Sequence, residues 1–198
     1  IAIENKYGLK YFAGCKEDHL GDWFSGIENY PNGGVVRTFS RKKLEKIFDA
    51  CGVGERSFYY PYPDYKFMTT VYSDAYLPGR GELSNNLRNF DRDRMLLFDE
   101  KSAFDGIVEE GLFSVFSNSY LAVIGKPLDL KYVRYSNDRA ESFRIRTEIL
   151  RDDRGNRIVR KYPLTKEAEA HVRHMMEAYE KLKERYAGSR LDVNGCHP

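Results

Sequence analysis

The succession of apolar and polar positions divides the chain into two textures. Ile1-Ala2-Ile3-Glu4 opens as an apolar strand and runs into the polar turn Asn5-Lys6-Tyr7-Gly8. Residues 14–34 are rich in Gly, Asp, Glu and Asn without a period, which predicts a long loop; such loops inside a domain are often functional. Leu44, Ile47, Phe48 and Cys51 recur at i, i+3, i+4 and i+7. This predicts a helix with Ser40 as cap, Phe39 and Leu44 as hydrophobic staple, and Gly52 as left-handed terminator. Arg56–Tyr60 reads as a strand stopped by Pro61 and Pro63. Residues 61–78 are extended and aromatic, and 85–94 are polar and ambiguous. Phe104, Ile107 and Val108 predict a short helix over about Glu100–Glu110, closed by Gly111. Ser119–Ile124 is β-branched and aromatic, a strand ended by Gly125-Lys126-Pro127.

After Pro127 the texture changes. Phe143, Ile145, Thr147 and Ile149 alternate with Arg144, Arg146 and Glu148, predicting a strand with one buried and one solvated face. Asp152-Asp153-Arg154-Gly155-Asn156 is a hairpin turn, and Ile158–Tyr162 is the return strand, broken by Pro163. Thr165 then caps a long helix to about Tyr186, on which Ala168, Val172, Met175, Tyr179, Leu182 and Tyr186 form a narrow apolar seam. A domain boundary is expected near Lys126, separating residues 1–125 from 126–198.

Composition narrows the function classes. Apolar residues make up 41% of the chain, enough for a core and against global disorder. A net charge of +2 gives no strong bias toward nucleic acid or membrane surfaces. The longest apolar runs, such as Tyr120–Ile124, fall far short of the roughly 20 residues of a membrane span. Cys15, Cys51 and Cys196 are distant and odd in number, which suits a reducing cytoplasm. Both ends read as cuts within a longer protein. Tyrosine is concentrated between Tyr59 and Tyr76, either packing a Pro-rich loop or offering flat faces with polar tips to sugars.

Several segments together carry a resemblance. Ile1-Ala2-Ile3-Glu4-Asn5-Lys6-Tyr7-Gly8-Leu9-Lys10-Tyr11-Phe12-Ala13-Gly14, followed by Glu17-Asp18-His19, resembles the fifth strand and following loop of a group of bacterial class I methyltransferases that use S-adenosylmethionine (SAM). These are often encoded with, or fused to, enzymes of surface-polysaccharide synthesis. Thr38-Phe39-Ser40-Arg41-Lys42-Lys43-Leu44 looks like the family's last helix, Phe58-Tyr59-Tyr60-Pro61-Tyr62-Pro63-Asp64-Tyr65-Lys66 like its sixth strand and exit loop, and Phe116-Ser117-Asn118-Ser119-Tyr120-Leu121-Ala122-Val123 like its seventh strand. The resemblance covers residues 1–125. It implies an α/β fold: the C-terminal part of a Rossmann-like, mostly parallel sheet with an antiparallel final strand, residues 61–117 being a large insertion. It implies SAM as cofactor of the complete protein, a cell-surface glycan or its precursor as acceptor, a cytoplasmic location, and association with polysaccharide-synthesis enzymes. The family's main SAM-holding loops would lie upstream of Ile1. Cys51-Gly52-Val53-Gly54 and Gly79-Arg80-Gly81 are no substitutes, because a dinucleotide-type loop follows a strand and opens a helix.

Residues 126–198 read as a small α+β module that resembles the start of a kinase-like N-lobe. Lys161 falls where such a fold places a phosphate-contacting lysine, with Glu177 as first and Glu169 as second choice of partner on the long helix. Nine Arg or Lys stand against five Asp or Glu between Arg134 and Lys161, a phosphate-binding or merely solvated face.

The candidate chemistry follows. A sugar hydroxyl accepting a methyl group needs positioning and benefits from a base. His19 beside Asp18 is the expected catalytic pair, since a neighbouring carboxylate raises and orients an imidazole. If the acceptor is an ionised phosphate oxygen, His19 only binds. Asn5 and Tyr7 lie at the carboxyl end of the first strand, where open α/β sheets take ligands. Tyr11, Asp64 and Tyr65 complete the expected acceptor site. His171 and His174 lack a third ligand, so no metal site is expected. The alternative function is a non-enzymatic glycan-recognition or scaffolding module built on the tyrosines.

Overall fold

The computed structural model describes residues 1–86, 94–152, 154–191 and 193. The ambiguous stretch 85–94 therefore falls mostly outside the described residues, as do Asp153 of the expected turn and Cys196. The chain divides into two units, Ile1–Tyr132 and Val133–Pro198.

In the first unit the strands β1 (Ala2–Glu4), β2 (Arg56–Tyr62), β3 (Thr70–Ser73) and β4 (Ser119–Ile124) lie in the order β1-β4-β2-β3. Glu4 pairs with Ser119, Arg56 with Ile124, and Tyr59 with Ser73, each strand pair being antiparallel. The expected neighbours are thus in place: the first strand lies beside Ser119–Ile124, which runs antiparallel to Arg56–Tyr60. The mostly parallel sheet is not what the described residues form. Their registered pairs are antiparallel, and parallel pairing is limited to an isolated bridge between Asn5 and Phe39. The reason is positional. β4 separates β1 from β2, so these two strands share a direction without touching.

The helices follow their caps. Ser40 accepts a hydrogen bond from the Lys43 N–H at 3.4 Å to start α2 (Arg41–Ala50), and Gly52 closes it with φ +71°. Asp99 accepts from Lys101 N–H to start α3 (Glu100–Glu109). Two short helices were not foreseen in the sequence, α1 (Leu9–Phe12) and α4 (Phe113–Phe116). β2 also runs through Pro61 rather than stopping there. Its registered pairing with β4 ends at Tyr59, so on that side Pro61 is outside the ladder and its missing N–H is tolerated.

The core explains the tyrosines. Tyr60, Tyr62, Tyr72 and Tyr120 are buried with Phe48, Phe58, Phe104 and Phe113. Their rings meet edge to face: Phe58 with Tyr120 at 5.9 Å, Tyr60 with Phe113 at 5.7 Å, Tyr72 with Phe113 at 5.6 Å. Edge-to-face contact sets the positive ring edge against a negative face. Leu83, Phe104 and Phe113 belong to the region read as an insertion, yet they sit in this core. That region completes the unit rather than decorating it.

The unit boundary falls after Tyr132, seven residues beyond the expected one, because the connecting segment is tied down. Leu128 N–H donates to the Tyr59 hydroxyl at 2.9 Å, Ser73 Oγ donates to the Lys131 carbonyl at 2.6 Å, and Tyr132 packs on Tyr72 and Tyr76.

The second unit holds β5 (Tyr132–Tyr135, whose first residue closes the first unit), β6 (Ile145–Arg151), β7 (Arg157–Pro163) and α5 (Ala168–Arg185). β6 and β7 form an antiparallel hairpin with Thr147 opposite Lys161. The simple inside–outside alternation is corrected here. Glu148, expected on the solvated face, is 3% exposed, while Phe143 is 52% exposed in a 3-10 turn before the strand. Glu148 is tolerated inside because Arg146 and Arg160 approach its carboxylate at 2.9 and 2.8 Å. α5 starts later than expected, with Glu167 rather than Thr165 at the cap position, although Thr165 Oγ1 accepts from Ala168 N–H at 3.2 Å in the turn before it. Of the apolar seam only Ala168 is fully buried.

Phe104 is fully enclosed, against Tyr62 and Phe113. Phe104→Ala should lower unfolding stability by about 3–5 kcal/mol, read from the denaturant midpoint at unchanged slope. A loss near zero would show that α3 is not part of this core.

Candidate functional site

β1 and β2 point the same way, so Glu4 at the end of one and Asp64 just past the other emerge together. Two asparagines build the frame around them. Asn5, fully buried, donates to the Val115 and Ser117 carbonyls and accepts from Tyr7 N–H. Asn118 accepts from Lys10 N–H and donates to the Pro63 carbonyl, both at 2.9 Å. Gly8 is required between them, since a Cβ there would lie 2.9 Å from the Asn118 Cα. The Tyr62–Pro63 peptide is cis, and Tyr65 N–H then donates to Ser119 Oγ at 2.9 Å.

Into this frame α1 delivers Lys10. Its ammonium lies 2.8 Å from Asp64 and 3.4 Å from Asp18, with the side chain 3% exposed. Tyr11 donates its hydroxyl to Asp18 at 2.9 Å. Lys66 reaches back to Glu4 at 3.0 Å and lies 3.9 Å from Asp18. Three carboxylates and two ammonium groups thus interlock at the carboxyl ends of β1 and β2.

The electrostatics follow from burial and partners. Burial opposes the charge on Lys10, but Asp64 and Asp18 outweigh it and raise the ammonium above its ordinary value. Burial likewise opposes charge on Asp18, and Lys10, the hydrogen bond from Tyr11, and Lys66 together hold it below the usual carboxylate value. Burial and the adjacent Asp18 raise the Tyr11 hydroxyl far above its ordinary value. At neutral pH the cluster therefore holds a charged lysine, an ionised Asp18 and a neutral tyrosine.

Of the residues expected from sequence, Asp18, Tyr11, Asp64 and Tyr65 converge. Asn5 serves the frame, and Tyr7 lies half-buried on the same turn. The His19–Asp18 pair is a correction. Glu17 accepts from the N–H groups of His19 and Leu20 at 2.8 Å each, which shapes a turn that sends Asp18 inward and leaves His19 exposed. Among the described residues the imidazole makes no hydrogen bond to Asp18. Glu4, Lys10 and Lys66 were missed, although all three lie in the segments that carried the resemblance. Their signal was position: Glu4 ends β1, Lys10 is the second residue of α1, and Lys66 lies in the turn that follows β2.

The second unit corrects a further expectation. Lys161 is exposed, and its ammonium lies 4.0 Å from Met175 Sδ. Among the described residues it makes no ion pair with Glu177 or Glu169. Helical geometry explains this: Met175 faces Lys161, and Glu177 two positions on is rotated by about 200°. His171 contacts Arg139 and the Phe143 ring, with no metal-like geometry. Among the described residues no group of three His, Cys, Asp or Glu side chains is arranged for a metal ion, and Cys15 and Cys51 form no disulfide. The glycine pairs are turn elements: Gly81 has φ +83° and donates to Asp105.

Neither a protein-family model, nor a curated protein, nor a solved structure matches this chain.

Lys10→Met should cost about 3–5 kcal/mol at pH 7, because Asp64 and Asp18 would stay buried without their counter-charge. The raised lysine stabilises the fold below its ordinary value and loses this as pH rises through the folded one. The depressed Asp18 stabilises above the ordinary carboxylate value and loses this as pH falls through the folded one. Their joint contribution should thus be flat between about pH 5 and 9 and fall outside that window. Protonation of the carboxylates should shrink the Lys10→Met penalty at acid pH, and Lys10→Met/Asp64→Leu should recover part of it. A penalty independent of pH would sink this account.

Proposed function

We propose that the first unit is the acceptor-binding part of a SAM-dependent methyltransferase acting on a cell-surface glycan or its precursor. The observation that carries this reading is the polar cluster at the shared carboxyl end of β1 and β2, with β4 antiparallel between them. Open α/β sheets take their ligands at that end. The same strand arrangement is compatible with the last three strands of a Rossmann-like sheet, the finer fold implied by the resemblance. SAM would then be held by strands that precede Ile1 in the complete gene product, which would act in the cytoplasm beside enzymes of polysaccharide synthesis.

The residues divide by availability. Lys10, Asp64, Asn5 and Asn118 are buried and occupied, so they position the loop walls. His19, Tyr7, Tyr65 and Lys66 line the accessible side. His19, free of Asp18, can turn toward an acceptor hydroxyl and take its proton, or bind an acceptor that is already ionised. The glycan-platform alternative is weakened because Tyr59, Tyr60, Tyr62 and Tyr72 are at most 4% exposed. The kinase-like reading of the second unit has no Lys161 ion pair to support it, and the unit is better described as a hairpin-and-helix appendage.

Calorimetry with SAM tests the proposal. The complete gene product should bind SAM in about the micromolar range, worth about 8 kcal/mol, and this chain alone should not. Binding by this chain alone would refute the placement of the cofactor strands; no binding by the complete product would remove the methyltransferase reading. In that product His19→Ala should lower turnover about 100- to 10,000-fold with SAM affinity retained. Unchanged turnover would mean an acceptor that needs no base.

A further inference from the structure

At the opposite end of β2 the first unit has a concavity of about 290 Å³. It lies between the start of α2, the amino-terminal half of β2, the end of β3 and the segment Pro127–Lys131. Most charges around it are already committed. Arg41 makes a two-pronged contact with Asp74 at 2.9 and 3.0 Å, bonds Glu45 at 3.0 Å, and lies over the Phe58 ring. The Tyr60 hydroxyl also bonds Asp74. Arg56 is held by Asp49 at 2.7 Å and by the Val53 carbonyl. This lattice pairs each of these carboxylates with an arginine.

Two residues lining the cleft carry polar side-chain groups with no partner among the described residues, Lys131 with its ammonium and Ser57 with its hydroxyl. Lys131 is itself held in position, since its own carbonyl accepts from Ser73 Oγ at 2.6 Å. Leu128 and Leu130 flank it, and Leu128 is fixed through both its N–H and its carbonyl to the Tyr59 hydroxyl. The cleft thus combines one unspent positive charge, one hydroxyl and an apolar side. Small-ligand sites have this make-up: a partly apolar concavity with a few placed polar groups.

We infer that this cleft binds a small anion with an apolar body, a phosphate monoester or a carboxylate, its acid group on Lys131 and Ser57 and its body against Leu128 and Leu130. The lining excludes two other classes. The carboxylates that line the cleft, Glu45 and Asp74, are both taken by Arg41, so a cation would find them already paired, and a wholly apolar ligand would leave the Lys131 charge unmatched. The cleft lies at the amino-terminal end of β2 and the acceptor cluster at its carboxyl end, so this site is independent of the methyltransferase reading.

The test is a titration of the isotope-labelled chain by NMR with three probes: inorganic phosphate, phenyl phosphate and benzoate. Phenyl phosphate or benzoate should shift the backbone amides of Ser57, Ala75, Leu128 and Lys131, and whichever binds tighter identifies the acid group. Lys131→Met should weaken binding about tenfold or more, the size of a charge-assisted hydrogen bond, while Lys131→Arg should retain it. Lys46→Met on the exposed face of α2 should leave it unchanged. Three outcomes would overturn the inference: no shifts at millimolar probe, equal response to inorganic phosphate, or indifference to Lys131→Met.

Discussion

A lysine ammonium held out of water between two carboxylates is the constraint on which the first unit turns. Lys10 belongs to the helix after β1, Asp18 to the loop beyond it, and Asp64 to the exit of β2. Removing an ion from water costs several kcal/mol, recovered only when geometry and hydrogen bonds are good. The surrounding sequence reads as the means to that end. Asn118 fixes the Lys10 backbone, Tyr11 completes Asp18, and Lys66 N–H completes Asp64. Three separate stretches of chain are thereby held together, and no one of them can move without leaving a buried charge unmatched.

The second unit uses the inverse arrangement, a buried carboxylate between two cations. Glu148 sits between Arg146 and Arg160, whose guanidinium groups both lie over the Tyr162 ring at 4.9 and 4.8 Å. Guanidinium suits this role because it is planar and weakly hydrated, so it stacks on an aromatic face while bonding a carboxylate. Two of the nine basic residues between Arg134 and Lys161 are committed in this way, within the hairpin. Lys161, a compact and strongly hydrated ammonium, is left at the surface near a sulfur atom.

Periodicity made the larger elements legible. Leu44, Ile47 and Phe48 announced α2 and Ser119–Ile124 announced β4, because one face of each meets the core and the pattern records it. Elements shorter than one or two periods left no such record. α4 and β3 are four residues each and owe their form to ring packing around Phe113 and Tyr72. The hairpin misled for another reason. Alternation assigns polar residues outward, and Glu148 lies inward because two arginines are there to meet it. The site was legible by segment rather than by residue. Adjacency in sequence suggested His19 with Asp18, whereas the Glu17 turn separates them and supplies Asp18 with partners from 8 and 7 residues before it.

That separation bears on what the site can do. A carboxylate depressed by lysines and a tyrosine hydroxyl is a poor proton acceptor, because the interactions that stabilise its charge must be given up when it takes a proton. Asp18 is thereby removed from base chemistry and becomes a fixed negative charge that keeps Lys10 and Lys66 in place. Under the proposed function a proton acceptor must therefore come from outside the buried cluster. The His19 imidazole meets that condition: it is exposed, and the Glu17 carboxylate holds its backbone N–H while leaving the ring uncommitted.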